Sequence, residues 1–318
     1  MTDIIHIGNQ LPSEPPHLGS TIDELIDRFL AELQAVPKTK DSYRNGLKQY
    51  ILWIESQNLQ LKDITKKEVS DYNSYLISEE RKLKSYTVNG YLVALRTFYT
   101  WLESYKLYPN VAKGLKPQKV KKGHKKMHLT NDESKKLLEH FQTQPLRDIA
   151  MISTMLRCGL RSIEIVRLDI GDIVQKSGKR VMNVMGKGRV EKDEFVILTD
   201  KAYIPIANYL ATRPEAQPAE PLFVSESNNN LGGRLDTRTV SGVAKEGLRA
   251  IGLDSSMYSC HSLRHSAAVA MIKAGAQLDA VQGVLRHSDP STTQIYLESI
   301  ADEERIRKAT EGLLDDAF

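Results

Sequence analysis

Cysteine is nearly absent from this chain: Cys158 and Cys260 are the only two in 318 residues. Two thiols build no disulfide framework and fit a reducing compartment, so a cytoplasmic protein is expected. No run of about 18 apolar residues occurs, which excludes a membrane-spanning helix. The opening residues, MTDIIHIGNQ, lack the basic start and apolar stretch of a secretory signal. A dominant charge is lacking too, since 44 basic and 40 acidic side chains leave a net of +4. That balance alone says little about a nucleic-acid partner. What remains, 41% hydrophobic and 26% charged residues, is the profile of a globular chain long enough for two domains.

The charge is unevenly placed. Residues 1–112 carry 13 basic and 14 acidic side chains, and residues 127–318 carry 24 and 26. The whole basic excess lies between them, in KGLKPQKVKKGHKK (113–126), which has seven lysines and no acid. Lys113, Lys116, Lys119, Lys121, Lys122, Lys125 and Lys126 share this stretch with two glycines and a proline, so it reads as a linker. Such a run is either a solvated hinge or a strap lying on phosphates.

The patterning predicts a chain that is mainly α with a small β-sheet. Residues 1–19 read as irregular. Over 20–112, four apolar-periodic runs predict an all-helical domain, with capping boxes at Thr21/Glu24 and Thr65/Glu68. Nine of the thirteen tyrosines and both tryptophans fall there, mostly as expected core. Residues 127–300 read as mixed α/β. Thr130/Glu133 caps one helix, Pro145 opens another that ends near Gly159, and RVMNVM (180–185) and EKDEFVILT (191–199) form a hairpin around GKGRV. A third short strand is expected at 222–225, an exposed turn at 225–234, and helices at about 200–213, 237–251, 261–274, 277–286 and 291–298. A separate amphipathic tail helix is expected within 301–318.

Polar groups suited to chemistry crowd the second half. They are Gly159-Leu160-Arg161 with Glu164, Gly186-Lys187-Gly188 at the hairpin tip, His261-Ser-Leu-Arg264-His265, Leu285-Arg286-His287-Ser288, and Tyr296. Singly each has an ordinary reading as cap, turn or core residue. His261 and His265 stand four apart, as zinc ligands on one helix would, but HSLRH lacks the glutamate of HExxH and carries an arginine instead. GKG lacks the full phosphate-loop pattern, so ATP binding is unsupported. Each arginine is permanently charged and can fork onto two oxygens of an anion. A phenol is a competent covalent nucleophile once a base or positive charge assists it.

In order and spacing the set resembles the tyrosine recombinase (phage integrase) family, over about residues 20–300. LRHSDPSTTQIYLE is especially similar to the segment carrying the family's second histidine and its nucleophile. The resemblance implies a helical core-binding (SAM-like) domain at 20–112 followed by a catalytic domain at 127–300. It resembles the Xer-like and simple integrase branch, and a type IB topoisomerase fits the arrangement less well. It implies catalytic roles for Arg161, Lys187, His261, Arg264, His287 and the nucleophile Tyr296, with Glu164 and His265 supporting. No metal and no other cofactor is implied.

The implied partners are duplex DNA recombination sites, clamped between two domains. A homotetramer would form in the synapse with exchange of the C-terminal helix (301–318), and accessory DNA-bending or directionality factors would act with it. The implied role is recombinase of a mobile element, or alternatively resolution of chromosome or plasmid dimers. A non-catalytic DNA-binding protein is the reading from another class, but it would require a missing active residue and none is missing. Two departures stand out: Cys158 where threonine is common, and Arg286 where glycine often precedes the histidine. That arginine is expected either to add a phosphate contact or to point outward.

Overall fold

A computed structural model gives the fold, describing residues 21–119, 127–186, 189, 191–287, 289 and 291–308. The chain divides by its contacts into Met1–Lys122 and Gly123–Phe318. The irregular segment expected at 1–19 lies outside the described residues.

The first unit is helical: α1 (Ile22–Glu32), α2 (Pro37–Ser56), α3 (Lys66–Ile77) and α4 (Ser85–Ser104). Both expected capping boxes form: Thr21 and Thr65 open α1 and α3, each answered by the glutamate three residues on. Proline at the first position of α2 loses no hydrogen bond there. The faces thus aligned bury Phe29, Tyr50, Tyr72, Phe98 and Tyr99, and the Tyr50 and Tyr99 hydroxyls share a hydrogen bond of 2.7 Å. The start of the lysine-rich stretch belongs to this packing rather than to a free linker. Ala112 is fully buried, and the Gln118 backbone exchanges hydrogen bonds of 2.6 and 3.0 Å with the Asn89 side chain.

The second unit begins with α5 (Asn131–Phe141), capped by Thr130 and Glu133 as expected, then α6 (Leu146–Cys158) and the short α7 (Ser162–Arg167). The sheet has three antiparallel strands, β1 (Ile173–Lys176), β2 (Lys179–Val184) and β3 (Glu194–Ile197), in that order. Val174 faces Val181, and Val181 faces Ile197. The expected hairpin is β2–β3. Strand β1 leaves no mark in the sequence, because it is mostly exposed and carries no buried alternation. Its turn, Ser177-Gly178, takes two positive φ values, +51° and +73°, as a type I′ hairpin requires.

The strand expected at 222–225 does not form. Isolated bridges Asp169–Pro221 and Val224–Arg234 close that loop instead. The remaining helices are α8 (Asp200–Leu210), α9 (Thr237–Ala250), α10 (Cys260–Lys273), α11 (Leu278–Leu285) and α12 (Ser291–Lys308). The two helices expected at 291–298 and 301–314 are corrected to one, since α12 continues unbroken through the boundary placed at 300. Nothing in SIADEE breaks a helix, and the change from apolar to acidic residues marks only a change of surroundings. Residues 309–318 lie outside the described residues. No helix among the described residues is long and apolar enough to cross a membrane.

Helix α10 is the hub. It packs against α5, α6, α9, α11 and α12, and Ser262 through Val269 are all buried. Gly159 makes the junction beside it possible. It ends α6 with φ +61°, and a Cβ there would stand 2.6 Å from Leu285 Cδ2. Gly159→Ala is therefore expected to cost about 1–3 kcal/mol from strain and overpacking, read as a lowered thermal midpoint. An unchanged midpoint would show that the junction can relax.

Candidate active site

Three chain segments meet beside α10. Gly159-Leu160-Arg161 leaves α6 and starts α7, so Arg161 sits at a helix N-terminus. The α11–α12 connection brings Arg286 and His287, and the second turn of α12 brings Tyr296. Residues 161, 264, 287 and 296 converge because α10, α11 and α12 share one small apolar cluster of Ala268, Val269, Val281, Leu285 and the Tyr296 ring.

Glu164 organises the positive charge. It is fully buried. Its Oε1 accepts from the Arg161 guanidinium at 2.7 Å, and its Oε2 accepts from the Arg161 backbone N–H and from Arg286 Nη2, both at 2.8 Å. Arg264 Nη1 lies 3.7 Å from the same oxygen. Burial would raise this carboxyl's pKa, but Arg286, the Arg161 backbone and Arg264 together hold it below its ordinary value.

Arg264 is 5% exposed. It donates to the Gly159 carbonyl at 2.6 Å and to the Leu285 carbonyl, which locks the guanidinium between α6 and α11. Burial, then the charge of Arg161, and further that of Arg286, pull its pKa to about 9 against the opposing pull of Glu164.

Tyr296 is buried between two imidazoles, with ring centroids 4.8 Å from His265 and 5.9 Å from His287. Burial raises its phenol pKa. Arg264 and Arg161 pull the other way, Arg264 also through a hydrogen bond, without overcoming burial. His287 is buried with Nδ1 2.8 Å from Thr293 Oγ1. Burial and then the charges of Arg264, Arg161 and Arg286 push its pKa down to about 4, so the ring is neutral near pH 7.

The other expected residues take different positions. His261 is exposed on the first turn of α10. His265 is buried, packed between Tyr296 and His128, whose ring is 5.0 Å away, which suits a supporting part. Lys187 lies outside the described residues, but the base of its hairpin is fixed. The Gly186 carbonyl accepts from Arg167 at 3.0 Å, and Lys192 bridges Asp169 and Asp172 at 2.6 and 2.5 Å. Lys113, Lys116 and Lys119 are exposed, while Lys121, Lys122, Lys125 and Lys126 lie outside the described residues. Cys158 is buried and its thiol is pushed up to about 12, by burial, so it is inert at neutral pH.

Three features were not read from sequence. Thr293, three residues before Tyr296 on α12, fixes the His287 ring; the i, i+3 spacing was the available signal. Glu303, two turns further along the same helix, pairs with His128 Nε2 at 2.7 Å and Lys273 Nζ at 2.5 Å, fastening α12 to its own domain. Arg286 does not point outward as one expectation had it: its side chain is 1% exposed and turns inward onto Glu164. Arg161, Arg286, His287, Gly186, Arg189 and Gln282 line part of a cleft of about 570 Å³ that opens onto this cluster.

Buried guanidiniums around a cleft, a neutral histidine and a phenol make a site for an anion and a covalent nucleophile. Residues 127–303 match the model of the phage integrase family, and residues 25–107 match that of the phage integrase N-terminal SAM-like domain. The tyrosine recombinase XerC of Leptospira interrogans is 31% identical over 287 residues, 88% of this chain and 89% of that protein. The XerH site-specific recombinase, solved on palindromic difH substrate after cleavage, aligns with a TM-score of 0.70 at 21% identity, covering 91% of this chain and 83% of that one. The Tn1549 transposon integrase, solved with transposon right end DNA, aligns with a TM-score of 0.65 at 17% identity, covering 91% and 99%.

Proposed function

The chain belongs to the phage integrase family, as a tyrosine recombinase of the Xer-like branch and hence a site-specific DNA recombinase, and from that premise we propose that Tyr296 attacks a scissile phosphodiester held by Arg161 and Arg264. The observation that carries this reading is the burial of Tyr296 against Arg264, with His287 beside it.

In the proposed step the Tyr296 oxygen forms a bond to phosphorus and the bond to the 5′ oxygen breaks. The product is a 3′-phosphotyrosyl link and a free 5′ hydroxyl. The phenol proton passes to His261, directly or through water, and Lys187 gives a proton to the departing oxygen. Arg161 and Arg264 neutralise charge as it grows on the non-bridging oxygens. With His287 as the Nε2–H tautomer, its Nδ1 accepts from the Thr293 hydroxyl and the Nε2 proton is left to donate to one of those oxygens. A 5′ hydroxyl then attacks the phosphotyrosine in reverse. Bond energy is kept in the link, so the residues named need neither ATP nor a metal.

Strand exchange by this route runs through a Holliday junction between two duplexes held by four protomers. The exposed lysines of 113–119 and those that follow supply phosphate contacts. The proposed exchange between protomers uses the C-terminal helix within 301–318, where Ile306 is 79% exposed while Glu303 pairs with His128 in cis. Of the two biological roles, the likeness to XerC supports resolution of chromosome or plasmid dimers at least as well as mobile-element integration. Recombination of a plasmid dimer in cells, compared with excision of a flanked element, separates them.

The general-acid role has its own test. Lys187→Ala is expected to slow cleavage by about 10²–10⁴-fold. A substrate with sulfur at the 5′-bridging position leaves without a proton and should restore most of that rate. A slow variant that the sulfur does not rescue would remove Lys187 from this role.

A further inference from the structure

Arg286 occupies a place where its backbone favours glycine. It ends α11 with φ 55° and ψ 48°, a conformation strained for any residue with a Cβ. Strain of this kind persists where surrounding contacts over-determine it, and here they come from the side chain. The guanidinium turns back into the protein. Nη1 donates to the Val284 carbonyl at 2.6 Å, and Nη2 donates to Glu164 Oε2 at 2.8 Å. Both members of that ion pair are closed to solvent, with side chains 1% and 0% exposed.

The geometry beyond Glu164 gives the contact its meaning. The carboxylate oxygen that takes Arg286 also takes the Arg161 backbone N–H, while the other oxygen holds the Arg161 guanidinium. One carboxylate therefore joins the loop after α6, through Arg161, to the loop after α11, through Arg286. Arg264 completes the junction, donating to the Leu285 carbonyl immediately before Arg286. His287 follows Arg286 directly, so the backbone that aims the imidazole is the backbone this ion pair pins.

We propose that Arg286 is a positioning residue for strand cleavage: through Glu164 it sets the orientation of Arg161 and the path of the chain into His287. This rests on the reading of the site as the cleavage centre. Arg286 needs no contact with DNA for this part. Its fork spans Val284 and Glu164, a span a single ammonium cannot reproduce.

The test uses the full-length protein and a nicked suicide duplex of the cognate site, with adduct formation followed under single turnover. Arg286→Gly suits the backbone at φ 55° and so removes the side chain while relieving the strain. It is expected to bind the duplex within about threefold of wild type but to form the adduct about 10- to 100-fold more slowly, the scale set by small misplacements of reacting groups. Arg286→Lys should recover part of the rate. Because the effect runs through Glu164, R286G combined with Glu164→Gln should be little slower than E164Q alone.

Wild-type rates in a folded R286G would overturn the proposal, as would full additivity with E164Q. If R286G does not fold, R286K carries the test, and a wild-type rate there would overturn it. Failure of the underlying reading looks different: wild-type protein would then give no adduct, or one that survives Tyr296→Phe.

Discussion

Tyr296→Phe is expected to abolish the covalent protein–DNA adduct while leaving the protein folded and bound to its site. The substitution removes one oxygen and keeps the ring that packs with Ala268, Val269, Val281 and Leu285. Its cost to stability is the hydrogen bond shared with the charged Arg264, about 1.5–3 kcal/mol. Its cost to the reaction is the proposed nucleophile, so adduct formation with a suicide duplex should fall by at least about 10⁴-fold. Duplex affinity should stay within about threefold, because the proposed phosphate contacts come from arginine and lysine. An adduct that forms in this variant at a measurable rate would reassign the nucleophile.

The second large effect is expected at Arg264. Arg264→Ala removes a guanidinium that holds the Gly159 and Leu285 carbonyls and stands 3.7 Å from Glu164. Each carbonyl left buried without a donor costs about 1–3 kcal/mol, so a clear drop in thermal midpoint is expected. Below that midpoint, cleavage should still be about 10²–10³-fold slower, the usual loss when a fixed charge aimed at a developing anion is removed. Arg264→Lys should restore little, since one ammonium cannot reach two carbonyls, the carboxylate and the phenol together. Cleavage within tenfold of wild type in folded R264A would show that the clamp is made by other groups.

Both substitutions fall on residues legible as motifs. His261-Ser-Leu-Arg264-His265 and Leu285-Arg286-His287 with Tyr296 are local strings, and local strings survive in a sequence without knowledge of the fold. Capping boxes at Thr21, Thr65 and Thr130 were legible for the same reason, since donor and acceptor are three residues apart. Strand β1 was not, because four mostly exposed residues carry no buried alternation. The continuity of α12 was not legible either: acidic residues after Ile300 read as a new segment, whereas Glu303 points at His128 and Lys273 from the same helix as Tyr296.

Arg286 shows the limit most clearly. Of the two readings its sequence context offered, a phosphate contact or an outward side chain, the outward one fails, because the side chain turns inward onto Glu164. The partner that decides its direction, Glu164, is 122 residues away. The sequence by itself determined the chemistry available, namely two arginines, a lysine, histidines and a tyrosine in order, and the helical character of the unit that precedes them. Only the tertiary structure decided which charges share one carboxylate and which histidine is held neutral. Burial and the Coulomb field of three guanidiniums depend on distances through space, and those are set by how α6, α10, α11 and α12 pack.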